Sequence, residues 1–436
     1  GYGFLAENPD FAEACAREGI IFVGPSPSSM RLLGDKVAAR QTMKRAGVPV
    51  VPGSEALATI AEATSAATEI GYPVLIKATA GGGGRGIRMV RGPSELARAW
   101  DSATREAVAA FGNGQLYIEK LLAPVRHIEV QIIADAFGNV ISLNERECSL
   151  QRRHQKMIEE SPSPIVDEDL RQRINAAAIL AARSSDYVNV GTVEYLLDSS
   201  RNFYFLEMNT RLQVEHPVTE MVTGFDLVAD QIRIANGLPI GYGQEAVLRR
   251  GWAIECRIVA EDPRENFVPS VGAIEFAQEP GGPGVRVESA LYDGFEVSPY
   301  YDSLVAKVTT WGRDRPEAIR RMRRALGEFR IAGVRTNIPL HLQVLHDEDF
   351  LAGRFDTIFL ETAIDLTSTA GSLENEQAAL VSAAVLAFLG QATGSDSRAE
   401  TIVAPDGTAA WRTGRRLGLH TDRQPFQATG WRSAVR

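Results

Sequence analysis

The segment VLIKATAGGGGRGIRMV, residues 74–90, places four consecutive glycines between two short apolar stretches. Gly81, Gly83 and Gly86 have the G-x-G-x-x-G spacing of dinucleotide-binding proteins, but that fingerprint requires a helix after its last glycine. The residues that follow are IRMV, and their alternating pattern predicts a strand instead. A Walker A loop is excluded as well, because no Lys-Ser or Lys-Thr pair follows the glycines.

A protein-kinase phosphate loop also disagrees with this sequence. In kinases the conserved lysine follows the glycines, whereas Lys77 precedes them here, and no H-R-D or D-F-G motif occurs downstream. What remains is a strand–glycine loop–strand hairpin beside a lysine. Such a loop exposes backbone N–H groups at little steric cost and can close over phosphates. A surface hairpin without a ligand explains the loop alone equally well.

A pattern of polar residues follows an apolar run in FYFLEMNTRLQVEHPVTE, residues 203–220. On an extended strand Glu207 and Asn209 point to the same face, and Glu194 can face the same space from a neighbouring strand. Two carboxylates and an amide oxygen are hard ligands that suit Mg²⁺ bridging nucleotide phosphates. We therefore expect a metal site at a strand end that lines a cleft.

The same alternation continues through Arg211, Gln213 and Glu215. An arginine holds a small planar anion well, and a nearby carboxylate can take its proton. The alternative is a purely structural arginine–glutamate pair. These residues are therefore candidates for an anion pocket with its own base.

A basic run, ERECSLQRRHQK, contains Arg152, Arg153, His154 and Lys156 and is predicted to lie between strands. The whole chain carries a formal net charge of -9, which gives no general basic field for nucleic acid. The run is either a solvated charged surface or a local phosphate pocket. The neighbouring metal and phosphate patterns favour the pocket.

Other features limit the class of protein to which this chain can belong. No run of about 18 apolar residues predicts a membrane span. Cys15, Cys148 and Cys256 are widely separated and form no C-x-x-C pair, which favours packing as small hydrophobes in a reducing, cytoplasmic compartment. Patterns predict a short strand at IIFVG, a helix at DKVAARQTMKRAG, a hairpin at FGN and a helix capped by Asp167.

With these segments the chain closely resembles the biotin carboxylase component of biotin-dependent carboxylases. The similar stretches include GYGFLAEN, GDKVAAR, KATAGGGGRGIR, RHIEVQI, RECSLQRRHQK, EMNTRLQVEHPVTE, ECRI, PYYDSLVAKV and GVRTNI, and they cover residues 1 to about 363. The resemblance implies an α/β (α+β) ATP-grasp fold. Its parts would be a partial N-terminal Rossmann-like unit, a glycine-rich lid subdomain and a C-terminal biotin carboxylase domain. The family has a further stretch before YGFL, so we expect an N-terminal piece to be missing.

The expected domains are the remainder of the N-terminal α/β domain over 1–50 and the lid over 51–121. The catalytic core with the C-terminal domain is expected over 122–365, and a linker or partial connector over 366–436. The tail after 366 resembles the start of a connector only weakly. No Met-Lys-Met occurs, so we expect no biotin-bearing domain in this chain. TMKR, its nearest match, is better explained by helix packing.

The resemblance implies that MgATP activates bicarbonate as carboxyphosphate and that the carboxyl group passes to N1′ of biotin. Mg²⁺, or Mn²⁺, would be held by Glu194, Glu207 and Asn209. The implied ATP-binding residues are Lys36, Lys77, Gly82, Gly83, Gly84, Glu119, Lys120, Leu122, His127 and His154. The glycine loop would act as a lid over ATP.

The same resemblance implies a bicarbonate and biotin pocket and a set of catalytic residues. The implied pocket contains Arg211, Gln213, Val214, Glu215, Arg257 and Tyr2. Glu215 would be the base that deprotonates bicarbonate, and Arg257 would stabilise the enolate form of biotin. Lys156, near the nucleotide phosphates, and Arg211 complete the implied catalytic set.

Implied partners are a biotin carboxyl carrier protein or domain, a carboxyltransferase and further copies of the chain, with no nucleic acid and no membrane. The implied reaction is the first half-reaction of an acetyl-, propionyl- or methylcrotonyl-CoA-type carboxylase. Two alternatives stay open. One is another ATP-grasp ligase, such as a carbamoyl-phosphate synthetase or a carboxylate–amine ligase. The other is a truncated fragment that binds nucleotide or partners without catalysis.

Overall fold

Two β-sheets of unequal size organise the chain, seen here in a computed structural model. The structure describes residues 1–79 and 87–364, together with positions 381, 384 and 385. Predictions for Gly81–Gly86 and for most of the tail after 364 lie outside the described residues.

The strands within the described residues are β1 (Val74–Ala78), β2 (Arg88–Val90), β3 (Leu116–Lys120), β4 (Val125–Ala134), β5 (Val140–Arg152), β6 (Gln155–Ser161), β7 (Asn189–Asp198), β8 (Phe203–Asn209), β9 (Trp252–Val259), β10 (Glu261–Asp262), β11 (Val268–Pro269), β12 (Gly272–Ala273), β13 (Phe276–Gln278), β14 (Val285–Ser289), β15 (Glu296–Val297), β16 (Leu304–Gly312) and β17 (Arg330–Ala332).

The helices within residues 1–364 are α1 (Pro9–Arg17), α2 (Pro27–Gly34), α3 (Lys36–Arg45), α4 (Ile60–Ile70), α5 (Pro93–Phe111), α6 (Glu168–Ser184), α7 (His216–Thr223), α8 (Leu227–Ala235), α9 (Arg315–Glu328), α10 (Ile338–His346), α11 (Glu348–Leu351) and α12 (Phe359–Thr362). Short 3₁₀ turns occur at Gln244–Ala246 and Pro263–Glu265.

The large sheet has eight antiparallel strands in the order β14-β16-β9-β6-β5-β4-β7-β8. All ten residues of β4 are buried, because the sheet is covered on both faces. Helix α6 packs against β4 and β5, and α7 packs against β5, β6, β9 and β16. The polar side chains of these central strands are therefore removed from water and must find partners within the protein.

The small sheet has the order β2-β1-β3 and a separate apolar core. Strands β1 and β2 are antiparallel, with Val74 opposite Val90, so the strand–loop–strand arrangement predicted around the glycines is confirmed. Ile76, Trp100 and Ala103 are among the buried residues between this sheet and α4 and α5. We call this unit the lid sheet.

A short segment after α3 connects the two sheets. The N–H of Phe205 in β8 donates to the carbonyl of Pro49, and the N–H of Lys120 in β3 donates to the carbonyl of Pro52. Gly53 lies so close to β3 that an added Cβ would be 2.7 Å from the Ile118 carbonyl oxygen. The close approach of this backbone therefore requires glycine at position 53.

Local hydrogen bonds explain several predicted boundaries. The Asp167 side chain accepts from the N–H of Leu170 and begins α6, which confirms the predicted cap. The FGN hairpin is also confirmed, because β4 pairs with β5 and the Asp135 carboxylate accepts from the N–H groups of Phe137 and Asn139. Met43 of TMKR is fully buried, as its predicted packing role requires.

Three predictions about local structure were wrong. IIFVG is not a strand: Ile20 and Ile21 are each 61% exposed, and no strand of the described chain pairs with them. The basic run does not lie wholly between strands, since Arg152 ends β5 and Lys156 belongs to β6, so that only Arg153 and His154 form the turn. The third wrong prediction was that the strand with Glu207 and Asn209 continues through residue 215. This strand, β8, ends at Asn209.

Cys148 and Cys256 are buried and Cys15 is partly buried, and all three are free thiols, as predicted. Among the described residues, no helix combines the length and the apolar character needed to cross a bilayer.

Candidate active site

The ammonium group of Lys156 lies at the centre of three buried carboxylates. Its Nζ is 2.5 Å from Glu129 Oε2, 2.9 Å from Glu194 Oε1 and 2.6 Å from Glu215 Oε1. We call these four residues the Lys156 cluster. Burial disfavours the charge on Lys156, but the carboxylates outweigh burial and raise the pKa of the ammonium well above its ordinary value.

Strand register explains how the Lys156 cluster forms. Glu129 on β4 is directly opposite Glu194 on β7, and on its other side it is opposite Arg146 on β5. Paired residues of antiparallel strands present their side chains to the same face, so a cation and two carboxylates meet there. Arg146 is fully buried, and its Nε donates to Glu129 Oε1 over 2.5 Å. Although burial opposes it, Arg146 and Lys156 lower the pKa of Glu129.

His127 occupies the same face of β4, two residues before Glu129. Its Nε2 lies 3.2 Å from Glu194 Oε2. Burial disfavours the imidazolium, but the Glu194 and Glu129 carboxylates raise the pKa of His127 to about 9. The histidine is therefore a cation at neutral pH and suits a neighbouring phosphate.

The three predicted metal ligands lie together at the edge of the large sheet. Glu207 on β8 is directly opposite Glu194 on β7, and Asn209 Nδ2 donates to Glu194 Oε1 over 2.9 Å. Burial and the Glu194 charge raise the pKa of Glu207. Glu194 is buried and Glu207 is partly exposed. Two adjacent carboxylates that repel each other fit a divalent cation, which would relieve that repulsion. Lys36 Nζ is 3.8 Å from Glu207 Oε2, at the outer side of the pair.

His127, Glu129 and Glu194 also lie close enough together to form a geometric metal site. Lys156 already donates to both Glu129 and Glu194, so its ammonium provides the positive charge at that position. The Glu194–Glu207 pair is consequently the better metal candidate.

Beyond Asn209 the backbone leaves the strand, so the predicted continuation of β8 through Glu215 was wrong. Residues 210–215 form a loop, and α7 begins at His216 with Glu215 at its N-cap position. The loop turns because the N–H and the ring Nδ1 of His216 both contact the carbonyl of Gln213. Pro217 then occupies the first turn of the helix, where its missing N–H has no cost.

The loop nevertheless directs its polar side chains towards the cluster. Gln213 Nε2 is 3.2 Å from Glu194 Oε1, and Arg211 Nη2 is 3.2 Å from Asn209 Oδ1. The sequence left open a purely structural pair of an arginine with a glutamate. Arg211 does form an ion pair, and its partner is Glu7, whose Oε2 is 2.8 Å from Arg211 Nε. Arg211 is therefore held at the N-terminal side of the site by a carboxylate distant in sequence.

Glu215 links the Lys156 cluster to Arg257 on β9. Its Oε2 accepts from Arg257 Nη2 over 2.9 Å, and its side chain is fully buried. Burial and Glu129 favour its neutral form, but Lys156, Arg257 and Arg146 outweigh them and lower the pKa of Glu215. The carboxylate is thus ionised and able to accept a proton.

Arg257 has further neighbours on the C-terminal strands. Its Nε donates to Glu159 Oε1 on β6 over 2.5 Å. The adjacent Lys307 on β16 donates to the carbonyl oxygen of Val214 over 2.7 Å, and its Nζ lies 5.8 Å from the centre of the Tyr2 ring. Tyr2, Val214 and Arg257 therefore all lie around Lys307.

The predicted nucleotide residues on the lid sheet form a separate group. Lys77 Nζ donates to Glu119 Oε2 over 2.6 Å, whereas Lys120 Nζ donates to the backbone carbonyls of Gly71 and Tyr72. Leu122 is half-buried, and His154 is exposed in the turn between β5 and β6. Gly82, Gly83 and Gly84 lie outside the described residues.

Sequence patterns missed several members of the site. Glu129, Glu159 and Lys307 each contact a predicted residue, and Arg146 contacts Glu129, but none of the four was assigned a role. The alternation in RHIEVQI places Glu129 on the same strand face as His127 and offered a signal. The other contacts join residues far apart in the chain and had no comparable signal.

Three protein families match the chain. Residues 35–242 match the family described as carbamoyl-phosphate synthase L chain, ATP binding domain. Residues 255–362 match the biotin carboxylase C-terminal domain, and residues 1–30 match the biotin carboxylase N-terminal domain.

Individual proteins give the same assignment. Biotin carboxylase 1 of Bacillus subtilis is 55% identical over 364 residues, which cover 83% of this chain and 81% of the relative. The biotin carboxylase of Pseudomonas aeruginosa is 52% identical, with 84% of this chain and 82% of the relative covered. The biotin carboxylase domain dimer of Hydrogenobacter thermophilus 2-oxoglutarate carboxylase, solved with MgADP, ADP and bicarbonate, is 50% identical with a TM-score of 0.82. That alignment covers 85% of this chain and 82% of the solved one.

These relatives share about half of their residues with this chain across most of its length, and the solved structure has the same mixed α/β fold. The ATP-grasp fold and the family predicted from the sequence are confirmed, and the chain belongs to the biotin carboxylases.

Proposed function

We propose that this chain uses ATP and bicarbonate to carboxylate biotin through the site around Lys156, Glu215 and Arg257. The observation that carries the proposal is the continuous contact from Lys156 through Glu215 to Arg257. It links a cluster suited to phosphates with a region suited to a second substrate. Phosphoryl transfer requires charge neutralisation and positioning more than covalent help from the protein, and this site is rich in fixed charges.

The nucleotide would lie between the two sheets. Lys77 on the lid sheet, and Lys36 and His127 on the side of the large sheet, provide positive charge for its phosphates. Glu194, Glu207 and Asn209 would hold Mg²⁺ or Mn²⁺, which when bound neutralises phosphate charge. Glu119, Lys120 and Leu122 are proposed to lie near the adenine, and His154 and the glycines at 82–84 to cover the phosphates.

Bicarbonate would bind at the loop that follows β8. Arg211 and Gln213 provide donors for a planar anion, together with the backbone at Val214. Glu215 is ionised and lies at the end of this loop, so we propose that it accepts the bicarbonate proton as the oxygen attacks the terminal phosphorus of ATP and ADP leaves. Lys156 would stabilise the charge that develops during this transfer.

Biotin would be carboxylated beside Arg257. The guanidinium stabilises negative charge on the ureido oxygen as N1′ becomes nucleophilic, and Tyr2 lines the approach. The carboxyl group then passes from carboxyphosphate to N1′ as its bond to the phosphate oxygen breaks, and the departing phosphate takes the N1′ proton.

The remaining assignments concern the whole assembly. We propose a cytoplasmic protein that forms homo-oligomers and acts on biotin attached to a carrier protein or domain. A carboxyltransferase subunit would use the product in an acyl-CoA carboxylase of the acetyl-, propionyl- or methylcrotonyl-CoA type. Relatives named for pyruvate and 2-oxoglutarate carboxylases make keto-acid acceptors the competing choice.

The decisive experiment compares wild-type protein with Glu215→Gln. We expect wild-type protein to release ADP from MgATP faster when bicarbonate and free biotin are both present. Glu215→Gln should still bind ATP but lose the bicarbonate-dependent release, because an amide accepts no proton. Glu220→Gln, on the same helix but bonded to Arg286, serves as the matched control. Normal turnover by Glu215→Gln would remove Glu215 as the base, and stimulation by ammonia instead of biotin would favour a different ligase.

A further inference from the structure

Two buried carboxylates, Glu159 and Glu255, face each other behind the proposed biotin pocket. They are paired directly across the antiparallel strands β6 and β9, and neither side chain is exposed. Directly opposed residues on one sheet face have Cβ atoms about 4.5–5.5 Å apart. We call these two residues the carboxylate pair.

Each member of the pair has one oxygen with a partner and one without. Glu159 Oε1 accepts from Arg257 Nε, and Glu255 Oε2 accepts from the hydroxyl of Thr309 on β16 over 2.8 Å. Glu159 Oε2 and Glu255 Oε1 are buried without a hydrogen-bond partner. Leaving two ionised oxygens unsatisfied in this way is costly, whereas a proton between the two carboxyl groups would satisfy both.

The nearby cations do not compensate two further negative charges. Arg257 already contacts Glu215, and Lys307 contacts Glu288 Oε2 over 2.6 Å. These contacts match the two cations with two carboxylates before the pair is considered. If both members were ionised, Arg257 and Lys307 would together face four carboxylates. Among the described residues, only Glu215 and Glu288 of these four contact a further cation, Lys156 and Arg286 respectively.

We propose that Glu159 and Glu255 share one proton at neutral pH and that this proton limits the negative charge around Arg257. In that state the carboxyl group that accepts from Arg257 Nε is partly neutralised, and Glu215 is the full counter-ion of Arg257. Both members are positioning residues, because they act through Arg257. The proton-sharing stands on the geometry alone, whereas its effect on biotin rests on the proposed function.

The electrostatic surroundings agree with the geometry. Burial raises the pKa of Glu159 to about 7 although Arg257 opposes the shift, and burial raises the pKa of Glu255 to about 8 although Lys307 opposes it. The other titratable or charged groups around the pair are Cys148 on β5, Lys156 on β6, Cys256 and Arg257 on β9, Lys307 on β16, Glu288 on β14, and Glu215 and His216 at the start of α7.

Three of these groups stay neutral near pH 7. Burial raises the pKa of the Cys148 and Cys256 thiols, and burial with the nearby Lys307 lowers the pKa of His216 to about 4. The pair is therefore the group in these surroundings that titrates near neutrality. Above its titration range the second carboxylate ionises and adds a negative charge beside Arg257, which weakens the positive potential proposed to act on biotin.

Infrared spectroscopy tests the proton directly and without turnover. We expect wild-type protein at neutral pH to show a buried carboxylic-acid C=O stretch that disappears as the pH rises. The band should be absent in Glu255→Gln and in Glu159→Gln, either of which serves if the other does not fold. Glu160→Gln is the control, since Glu160 is fully paired with Arg315 and Trp252 and should not contribute the band. No band, or a band that both variants retain, would overturn the proposal.

The pH profile then tests the consequence for Arg257. A glutamine at 255 donates an N–H to Glu159 and imitates the shared proton permanently. Biotin-dependent ADP release by Glu255→Gln should therefore persist to higher pH than in wild-type protein, whereas Glu255→Leu should lose it. An unchanged profile in Glu255→Gln would contradict the link to Arg257. If the infrared band behaves as expected but no variant or wild-type protein responds to biotin, the proposed function fails and the proton-sharing stands.

Discussion

Two groups of buried carboxylates lie on the eight-stranded sheet, the Lys156 cluster and the carboxylate pair. All five carboxylates are inaccessible or nearly so. Burial alone would raise every pKa, yet the pKa values of Glu129, Glu194 and Glu215 are lowered, whereas those of Glu159 and Glu255 are raised. The number of cations within reach decides the direction, since burial is common to both.

The strand pairing explains why the cations are distributed unequally. On β5, Arg146 is directly opposite Glu129, and Lys156 on β6 contacts all three carboxylates of its cluster. On β9 and β16, Arg257 and Lys307 are also paired across the strands, but each is shared with a carboxylate outside the pair. The first arrangement provides enough cations to keep the carboxylates of the Lys156 cluster ionised. The second provides too few cations to keep both members of the carboxylate pair ionised.

The largest effect should come from Lys156→Met, which removes the ammonium that all three carboxylates of the first cluster share. Three buried carboxylates would lose their common ammonium, so we expect loss of biotin-dependent ADP release and a decrease of about 3–5 kcal/mol in the free energy of unfolding. Urea denaturation and ADP release measure both effects. Lys120→Met is the control for stability, because its ammonium contacts only backbone carbonyls. An equal loss of stability in both variants would contradict the special role of the cluster.

A smaller effect is expected on the pH dependence of the free energy of unfolding, to which His341 contributes at acid pH and the carboxylate pair at alkaline pH. His341 Nε2 lies 2.7 Å from the carbonyl oxygen of Arg257, and burial lowers the pKa of His341 to about 4. The unfolded chain binds this proton below about pH 6.5 and the folded chain does not. Its contribution is thus present above pH 6.5 and is lost as the pH falls towards 4, by at most ~3 kcal/mol.

His341→Gln should therefore flatten the decline in stability between pH 6.5 and 4, as measured by urea midpoints. The carboxylate pair acts in the opposite direction. Its raised pKa values stabilise the folded chain below about pH 4.5, and that contribution is lost as the pH rises through 7 and 8. If His341→Gln leaves the decline in stability between pH 6.5 and 4 unchanged, other groups cause that decline.

The smallest effects should come from two matched threonines. Thr309→Val removes the hydroxyl that donates to Glu255, and Thr219→Val removes the hydroxyl that accepts from Arg146. Each should cost about 1 kcal/mol in the free energy of unfolding. Thr309→Val alone should also move the alkaline decline to higher pH, because the ionised form of Glu255 loses its donor. The same shift in Thr219→Val would show that the two groups titrate together.

Much of the fold was predictable because local patterns carry it. The hairpin at FGN, the cap at Asp167 and the strands beside the glycines depend on residues close in sequence. IIFVG failed because apolar composition predicts a strand only if a partner strand accepts its hydrogen bonds. The end of β8 was missed because the Gln213–His216 contacts, not the alternation of side chains, set the backbone direction.

The site residues likewise divide into those that local patterns predict and those that they do not. Glu194, Glu207 and Asn209 lie together because they occupy paired strands, and their placement followed from alternation. The contact of Arg257 with Glu159 joins residues 98 positions apart, and no local pattern reports it. Likewise, Glu7 beside Arg211 depends on how the N-terminal segment packs, which side-chain spacing does not encode.

The segment from Pro49 to Gly53 has a mechanical consequence. Its carbonyl groups accept hydrogen bonds from β8, which carries Glu207, and from β3, which carries Glu119. A rotation of the lid sheet that preserves both bonds must therefore pull on the strand that presents the proposed metal ligands. These five residues therefore couple movement of the lid sheet mechanically to the position of the proposed metal ligands.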